Sequence, residues 1–224
     1  LAALLIGLIL PFSILYAIFL FDTKVHSRED LEGDNLNFNV LGEIPFFDLD
    51  EEAKIFTNPD DRSIISESFR MLMSNVRYLQ NQDSKSNVII VTSSIKGEGK
   101  TLNALNLSLS FSSVGKKVLL IGCDLRNPQL HKYIEVDKNL PGLVDYLVDN
   151  KMDWKKNILK PFKNNPNQSM LLSGPLPPNP LNLVNNGNLN LLLEEARKEY
   201  DYIIIDSAPT LLVADTKSIF SLAD

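Results

Sequence analysis

Hydrophobic positions along the chain follow three patterns. The first is an unbroken apolar run, Leu1–Phe21, with no charged residue. A helix of that length reaches ~30 Å, the thickness of a bilayer core, so residues 1–21 predict a transmembrane helix. Tyr16 and several phenylalanines lie towards its end, where interfacial aromatics sit, and Pro11 is tolerated in a membrane helix. The second pattern recurs every three or four residues. Ile65, Phe69, Leu72, Val76 and Leu79 form one stripe and predict a helix over Arg62–Leu79. The third consists of short apolar runs at Val88–Val91, Lys117–Ile121, Ser169–Leu172 and Asp201–Asp206, which read as buried strands. Helical stretches fall between them at Leu102–Val114, Gln129–Tyr133, Leu143–Asp149 and Leu189–Tyr200, with a rigid turn at Pro175–Pro180. Continuous apolar strands separated by helices imply an α/β fold, with a mostly parallel sheet covered by helices on both faces. Residues 22–60 are polar and broken by Pro45 and Pro59; they read as a juxtamembrane linker partly docked on a domain spanning 61–224.

One turn in this series carries chemistry. Ser93-Ser94-Ile95-Lys96-Gly97-Glu98-Gly99-Lys100-Thr101 follows the first strand and opens a helix, the context of a phosphate-binding loop. Gly97 and Gly99 let the backbone curl so that its N–H groups face phosphate oxygens, and the helix N-terminus adds partial positive charge. Lys100 can reach β- and γ-phosphates, and Thr101 can offer its hydroxyl to Mg²⁺. Ser94, Lys96, Gly97, Glu98, Gly99, Lys100, Thr101 and Leu102 are therefore the expected nucleotide contacts; Ser94 stands where the usual motif has its first glycine. Ligands of such sheets sit at the carboxyl ends of the strands. Asp124 and Asp206 fall there, each after its own apolar strand, and Asp206 has the position of the Mg²⁺-associated acid of P-loop NTPases. A strand-end aspartate can equally be a turn or cap residue.

Composition removes some alternatives. The net charge of −6 over 224 residues does not suggest a nucleic-acid partner. The single cysteine, Cys123, excludes an intrachain disulfide and reads as a small core residue. Lys24, His26 and Arg28 directly after the apolar run place the C-terminal part in the cytoplasm by the positive-inside tendency, where ATP is found. The chain opens on Leu1 and stops just after another helical pattern begins, so it reads as a C-terminally incomplete fragment. On the helix before the first strand, Glu67, Arg70, Ser74 and Arg77 lie within about 80° of one another, nearly opposite the apolar stripe. They are either a solvated face or an ion-pairing surface for a second subunit.

Taken in order, these motifs resemble the bacterial tyrosine kinases (BY-kinases) that form the cytoplasmic part of polysaccharide co-polymerases. The likeness is carried by the apolar span, Ser27-Arg28-Glu29-Asp30-Leu31, Leu41-Gly42-Glu43-Ile44-Pro45, Glu67-Ser68-Phe69-Arg70 and Gly97-Glu98-Gly99-Lys100-Thr101. It continues through Asp124-Leu125-Arg126-Asn127-Pro128, Gly142–Leu147, Gly174–Pro180 and Asp206-Ser207-Ala208-Pro209. The resemblance implies an ATP- and Mg²⁺-dependent protein-tyrosine autokinase at the bacterial inner membrane. Its subunits would assemble into a ring, phosphorylate one another's C-terminal tyrosines and control polysaccharide polymerisation and export. It implies Lys100 on phosphate, Thr101, Asp124 and Asp206 around the metal, and Glu67 and Arg70 at the intersubunit contact, with Arg77 as a substitute for a second arginine that is Met73 here.

The chain departs from the family at three points. Gly122 replaces the first Asp of an Asp-x-Asp-x-Arg motif, a favoured candidate for the catalytic base. Met73 replaces the second arginine. Tyr16, Tyr78, Tyr133, Tyr146, Tyr200 and Tyr202 are scattered rather than clustered. Two other readings share the loop. A MinD/ParA-like ATPase would carry a signature lysine where Ile95 stands, and a nucleotide-binding scaffold without transfer activity is kept open by Gly122.

Overall fold

The computed structural model describes residues 2–22, 24–25, 31, 39–46, 55–56, 58, 60–80, 84–211 and 218–224. It divides into two compact units, Leu1–Leu41 and Gly42–Asp224. Most of the expected linker, including Ser27–Asp30, lies outside the described residues.

The first unit contains helix α1, Ala2–Leu20, 19 residues with Pro11 inside. Its described large hydrophobic side chains from Ile9 onward are exposed, with Phe12, Leu15 and Phe19 among them. Among the described residues no helix is long and apolar enough to cross a membrane, so the span expected over residues 1–21 is not shown.

The second unit is built on four strands: β1 (Asn87–Val91), β2 (Val118–Gly122), β3 (Gln168–Leu171) and β4 (Tyr202–Asp206). All pair in parallel in the order β1-β4-β2-β3. The alternation of side chains across the pleat divides the core in two. Leu119, Ile121, Ile203 and Ile205 join one cluster with Leu143, Leu147 and Leu192. Val118, Leu120, Tyr202 and Ile204 join the other with Leu105, Leu109 and Phe111. Both faces are therefore covered, which is why the strands read as continuous apolar runs. Cys123 is buried at 5% exposure, as expected of a core residue.

Helix α2 (Ile64–Leu79) starts at Ser63, whose Oγ accepts from the Ser66 N–H at 3.2 Å. Its buried apolar residues are Ile65, Phe69 and Met73, a four-residue ridge. The expected stripe drifts off this ridge: Leu79 is 55% exposed, whereas Met73 is buried. Helix α3 (Lys100–Ser113) is buried almost all round. Its Asn106 Oδ1 accepts from the Phe56 N–H at 2.6 Å and seats Phe56, 1% exposed, in the core. The shorter helices are α4 (Leu130–Tyr133), α5 (Leu143–Val148), α6 (Pro180–Val184) and α7 (Asn188–Ala196). The sequence pattern did not indicate α6 or the 3₁₀ turn Trp154–Asn157; the helical pattern beginning near the end of the chain appears as the 3₁₀ turn Phe220–Leu222.

Candidate nucleotide-binding and phosphotransfer site

Strand register sets the site. Val91, Asp206 and Gly122 are directly opposite one another across β1, β4 and β2. The residues that follow β1 and β2 therefore emerge on either side of Asp206. The loop leaving β1 is tied to the segment leaving β4: Ser207 N–H donates to Val91 O at 3.0 Å and Thr210 N–H to Ser93 O at 2.8 Å. The Thr92 hydroxyl also donates to Ala208 O at 2.9 Å. Gly97 and Gly99 take φ of 98° and 83°, a region in which a side chain is strained. Gly99 is the N-cap of α3 and turns the chain into the helix that presents Lys100 and Thr101.

Two of the expected loop contacts have roles the motif does not reveal. The Glu98 carboxylate folds back and accepts from the Ser94 N–H at 2.7 Å and the Ile95 N–H at 3.2 Å. It occupies backbone donors of the kind that phosphate would use, so an incoming nucleotide competes with an internal anion. The Leu102 side chain is buried at 9% exposure, so only its backbone can serve a ligand. Lys96 is exposed on the loop.

Lys100 lies between the two strand-end acids. Its Nζ is 2.8 Å from Asp124 Oδ2 and 3.3 Å from Asp206 Oδ1, and it donates to Thr101 Oγ1 at 3.2 Å. All three charged side chains are at least nine-tenths buried. Burial pushes the Asp206 carboxyl up to about 6; the charge of Asp124 adds to this, while Lys100 and the Thr101 hydroxyl oppose it. Burial works against the Lys100 ammonium, yet Asp206 and Asp124 outweigh it and hold Lys100 above its ordinary value. Asp124 Oδ1 accepts from the Asn127 N–H at 3.0 Å, which fixes the carboxylate. Tyr133, half-buried on α4, lies in the field of this cluster: burial raises its phenol, Asp206 adds to the effect and Lys100 opposes it.

This donor set fits Mg²⁺ and a nucleotide. Among the described residues no three His, Cys, Asp or Glu side chains converge. Mg²⁺ needs only one or two carboxylates when phosphates complete its shell, and Thr101, Asp124 and Asp206 provide a hydroxyl and two carboxylates at one point. The space beside Gly122 is closed. A Cβ there would lie 2.8 Å from Ser173 Oγ, 3.1 Å from Leu130 Cδ1 and 3.2 Å from Ser173 N. The space that a side chain at position 122 would enter is filled by Ser173 and Leu130.

The residues expected at an oligomer contact divide. Glu67 and Arg70 form an i,i+3 pair at 2.5 Å, and the Arg70 guanidinium lies 4.8 Å over the Phe56 ring. Arg77 is exposed and acts on the Tyr202 phenol: burial raises the phenol's pKa, Arg77 opposes this and Asp201 adds to it.

Comparison with known proteins agrees with this geometry. A family model described as an AAA domain matches residues 86–224. The chain is 33% identical over 176 residues to the tyrosine-protein kinase YwqD of Bacillus subtilis, covering 77% of this chain and 71% of the relative. A putative tyrosine-protein kinase in the cps region of Klebsiella pneumoniae is 31% identical over 98% of this chain, which spans 31% of that longer relative. The fold superposes on the chimerical protein CapA2B2 with TM-score 0.74 at 29% identity, covering 88% and 81% of the two chains. It superposes on the kinase domain of the Escherichia coli tyrosine kinase ETK with TM-score 0.75 at 26% identity, covering 86% and 76%. With a phosphate loop, a buried lysine between two strand-end aspartates and these relatives, the chain belongs to the bacterial tyrosine-protein kinase family, on an AAA-type P-loop domain.

Proposed function

We propose that this chain is an ATP- and Mg²⁺-dependent protein-tyrosine autokinase that regulates capsular or exopolysaccharide polymerisation and export. The observation that carries it is the placement of Lys100 between Asp124 and Asp206, directly after the phosphate loop. Bound MgATP supplies the transferable phosphoryl group. Lys100 provides the positive charge that a phosphoryl group in transfer requires, and positioning and charge dominate such reactions. Thr101, Asp124 and Asp206 would hold the metal. Gly122 leaves no acid at its own position, so the carboxylates left to accept a phenolic proton are Asp124 and Asp206, the latter with a pKa of about 6.

Assembly into a ring with phosphorylation between subunits belongs to the same proposal, with Glu67, Arg70 and Arg77 on the outer side of α2 as the contact. So does attachment to the bacterial inner membrane through Leu1–Phe21 with the catalytic domain in the cytoplasm, supported by the uncharged run and the exposed apolar side chains of α1. Relatives named for a cps region, and the CapA2B2 chimera, support the link to polysaccharide machinery.

The test is incubation of the full chain with radiolabelled ATP, Mg²⁺ and a tyrosine-containing copolymer as added acceptor. Phosphotyrosine is expected with the wild type and not with Lys100→Met. Its absence from the wild-type reaction overturns the proposal. Flotation with lipid vesicles tests the membrane arm, and recovery of the whole chain in the unbound fraction removes it.

A further inference from the structure

Two runs that the phosphotransfer site leaves unused, Gly142–Leu147 and Gly174–Pro180, meet in one place. Gly142 opens α5 hard against the loop that follows β3: a Cβ there would lie 2.2 Å from Leu172 O and 2.7 Å from Gly174 N. The Leu143 and Val144 N–H groups donate to Leu172 O and Ser173 O at 2.8 and 2.9 Å, which fastens α5 to that loop. Between the helix and the loop lies a groove of about 490 Å³, in the size range of ligand sites. Its apolar lining is Val144, Val148, Met152, Leu176 and Leu183. Val148 and Leu176 are 68% and 59% exposed, so this is apolar surface open to solvent.

The wall chemistry selects the occupant. Pro175, Pro177 and Pro178 line the groove on the loop side. They fix the backbone, so the groove is preformed, and they offer no N–H, so an added β-strand finds no ladder there. The exposed amides of Asn179 and Asn182 stand on the same groove. A side-chain amide can both donate to and accept from a peptide unit. Among the described residues the one charged side chain in the lining is Asp145, whose Oδ2 accepts from the Gly142 N–H at 2.7 Å. Apolar surface with amides and no cation suits an extended polypeptide carrying apolar side chains, and not a nucleotide. Continuity with the transfer centre says which polypeptide. Ser173, just before Gly174, lies with its Oγ 2.8 Å from where a Gly122 Cβ would stand, two residues before Asp124. Gly174 and Leu176 also border a smaller hollow of about 190 Å³ that reaches Asn127, whose N–H holds Asp124. A chain lying in the groove is thereby led towards Asp124.

We infer that this groove docks the acceptor polypeptide: apolar residues near an acceptor tyrosine seat against Val148, Met152 and Leu176 while the tyrosine reaches the Lys100–Asp124–Asp206 centre. The inference rests on the kinase reading and deepens it by naming the substrate class. Acceptor choice then depends on the residues around the tyrosine and not on the tyrosine alone.

The experiment compares two labelled peptides as acceptors for the full chain with MgATP. Each carries one tyrosine; the first has leucines within a few residues of it where the second has serines. The wild type should show a KM at least about tenfold lower for the leucine peptide, with similar kcat. Val148→Lys/Leu176→Lys should raise that KM to the serine peptide's value, and Val148→Ile/Leu176→Met should keep the preference. Both positions are exposed, and a thermal melt shows that the variants fold. Equal KM values in the wild type overturn the inference, as does an unchanged preference in the lysine variant. A lower kcat or a raised KM for ATP in the lysine variant places the effect in the transfer centre and also overturns it. Self-association that the lysine variant abolishes while the peptide preference stays assigns the groove to a second copy of the chain, against the inference. Fluorescence polarisation of the same peptides on Lys100→Met reads docking without transfer and should show the leucine preference. Phosphotyrosine formed equally well on both peptides sinks the groove and leaves the kinase reading. Its absence from both sinks the kinase reading, and the polarisation preference then decides the groove separately.

Discussion

Replacing Gly122 by alanine tests the packing of the site at its most unusual position. In a strand interior, Gly→Ala normally stabilises by about 0.5–1 kcal/mol through unfolded-chain entropy, and burying a methyl adds about 0.8 kcal/mol. Against that, the new Cβ would meet Ser173 Oγ at 2.8 Å, Leu130 Cδ1 at 3.1 Å and Ser173 N at 3.2 Å, all tighter than ordinary contact. The Leu130 methyl and the Ser173 hydroxyl can rotate. The Ser173 backbone cannot follow, because Val144 N–H donates to Ser173 O at 2.9 Å and Leu143 N–H to Leu172 O at 2.8 Å. Overpacking of this kind costs about 1–3 kcal/mol. Three simultaneous close contacts, one of them to backbone, place the cost at the upper end of that range, where it outweighs the gains, and Gly122→Ala should lose about 1 kcal/mol overall. Urea unfolding reads this as a lower midpoint at unchanged slope. In Gly122→Ala/Ser173→Gly the closest contact disappears while the backbone contact remains, so part of the loss should return. Gly122→Asp should lose more than alanine, because a further carboxylate joins Asp124 and Asp206, and it should not raise phosphotransfer. A Gly122→Ala protein as stable as the wild type would refute the reasoning.

Three further outcomes follow from the same structure. Asp206 titrates near 6 when folded against an ordinary 3.8, so its ionised form costs the folded state about 3 kcal/mol above pH 6, and this cost disappears as pH falls towards 4. Asp206→Asn should therefore be more stable than the wild type at pH 8 by up to that amount, with the gap closing by pH 4 in urea titrations at each pH. Ser63→Ala removes the α2 cap and should cost about 1 kcal/mol by thermal melting. Phe56→Ala empties a fully buried site under Arg70 and should cost about 3–4 kcal/mol in one cooperative transition, which checks that residues before 61 fold with the domain.

Much of the domain was legible in the sequence because local pattern and global fold agree. The four strand runs appear within a residue or two of their expected places, since strands buried on both faces must be apolar throughout. Lys100 and Thr101 were legible because a strand–glycine-turn–helix has few other uses. Helix α6 was hidden by its prolines, which read as a turn although Pro180 stands at the first helical position, where proline is tolerated. The burial of Met73 in place of Leu79 was hidden because a helix stripe read at 3.6 spacing does not say which ridge meets the neighbouring helix.

What the sequence determined alone was the parallel α/β domain, the phosphate loop and the candidate acids, because each follows from a periodicity or from residues adjacent in the chain. Tertiary structure decided what depends on residues far apart. The strand order β1-β4-β2-β3 inserts Asp206 between the ends of β1 and β2 and so joins Lys100 to both aspartates. The closing of the Gly122 site by Ser173 and Leu130, and the meeting of Val148 with Leu176 along one groove, are likewise matters of packing. A linear pattern records which face a residue prefers; only the folded register determines which residue it meets there.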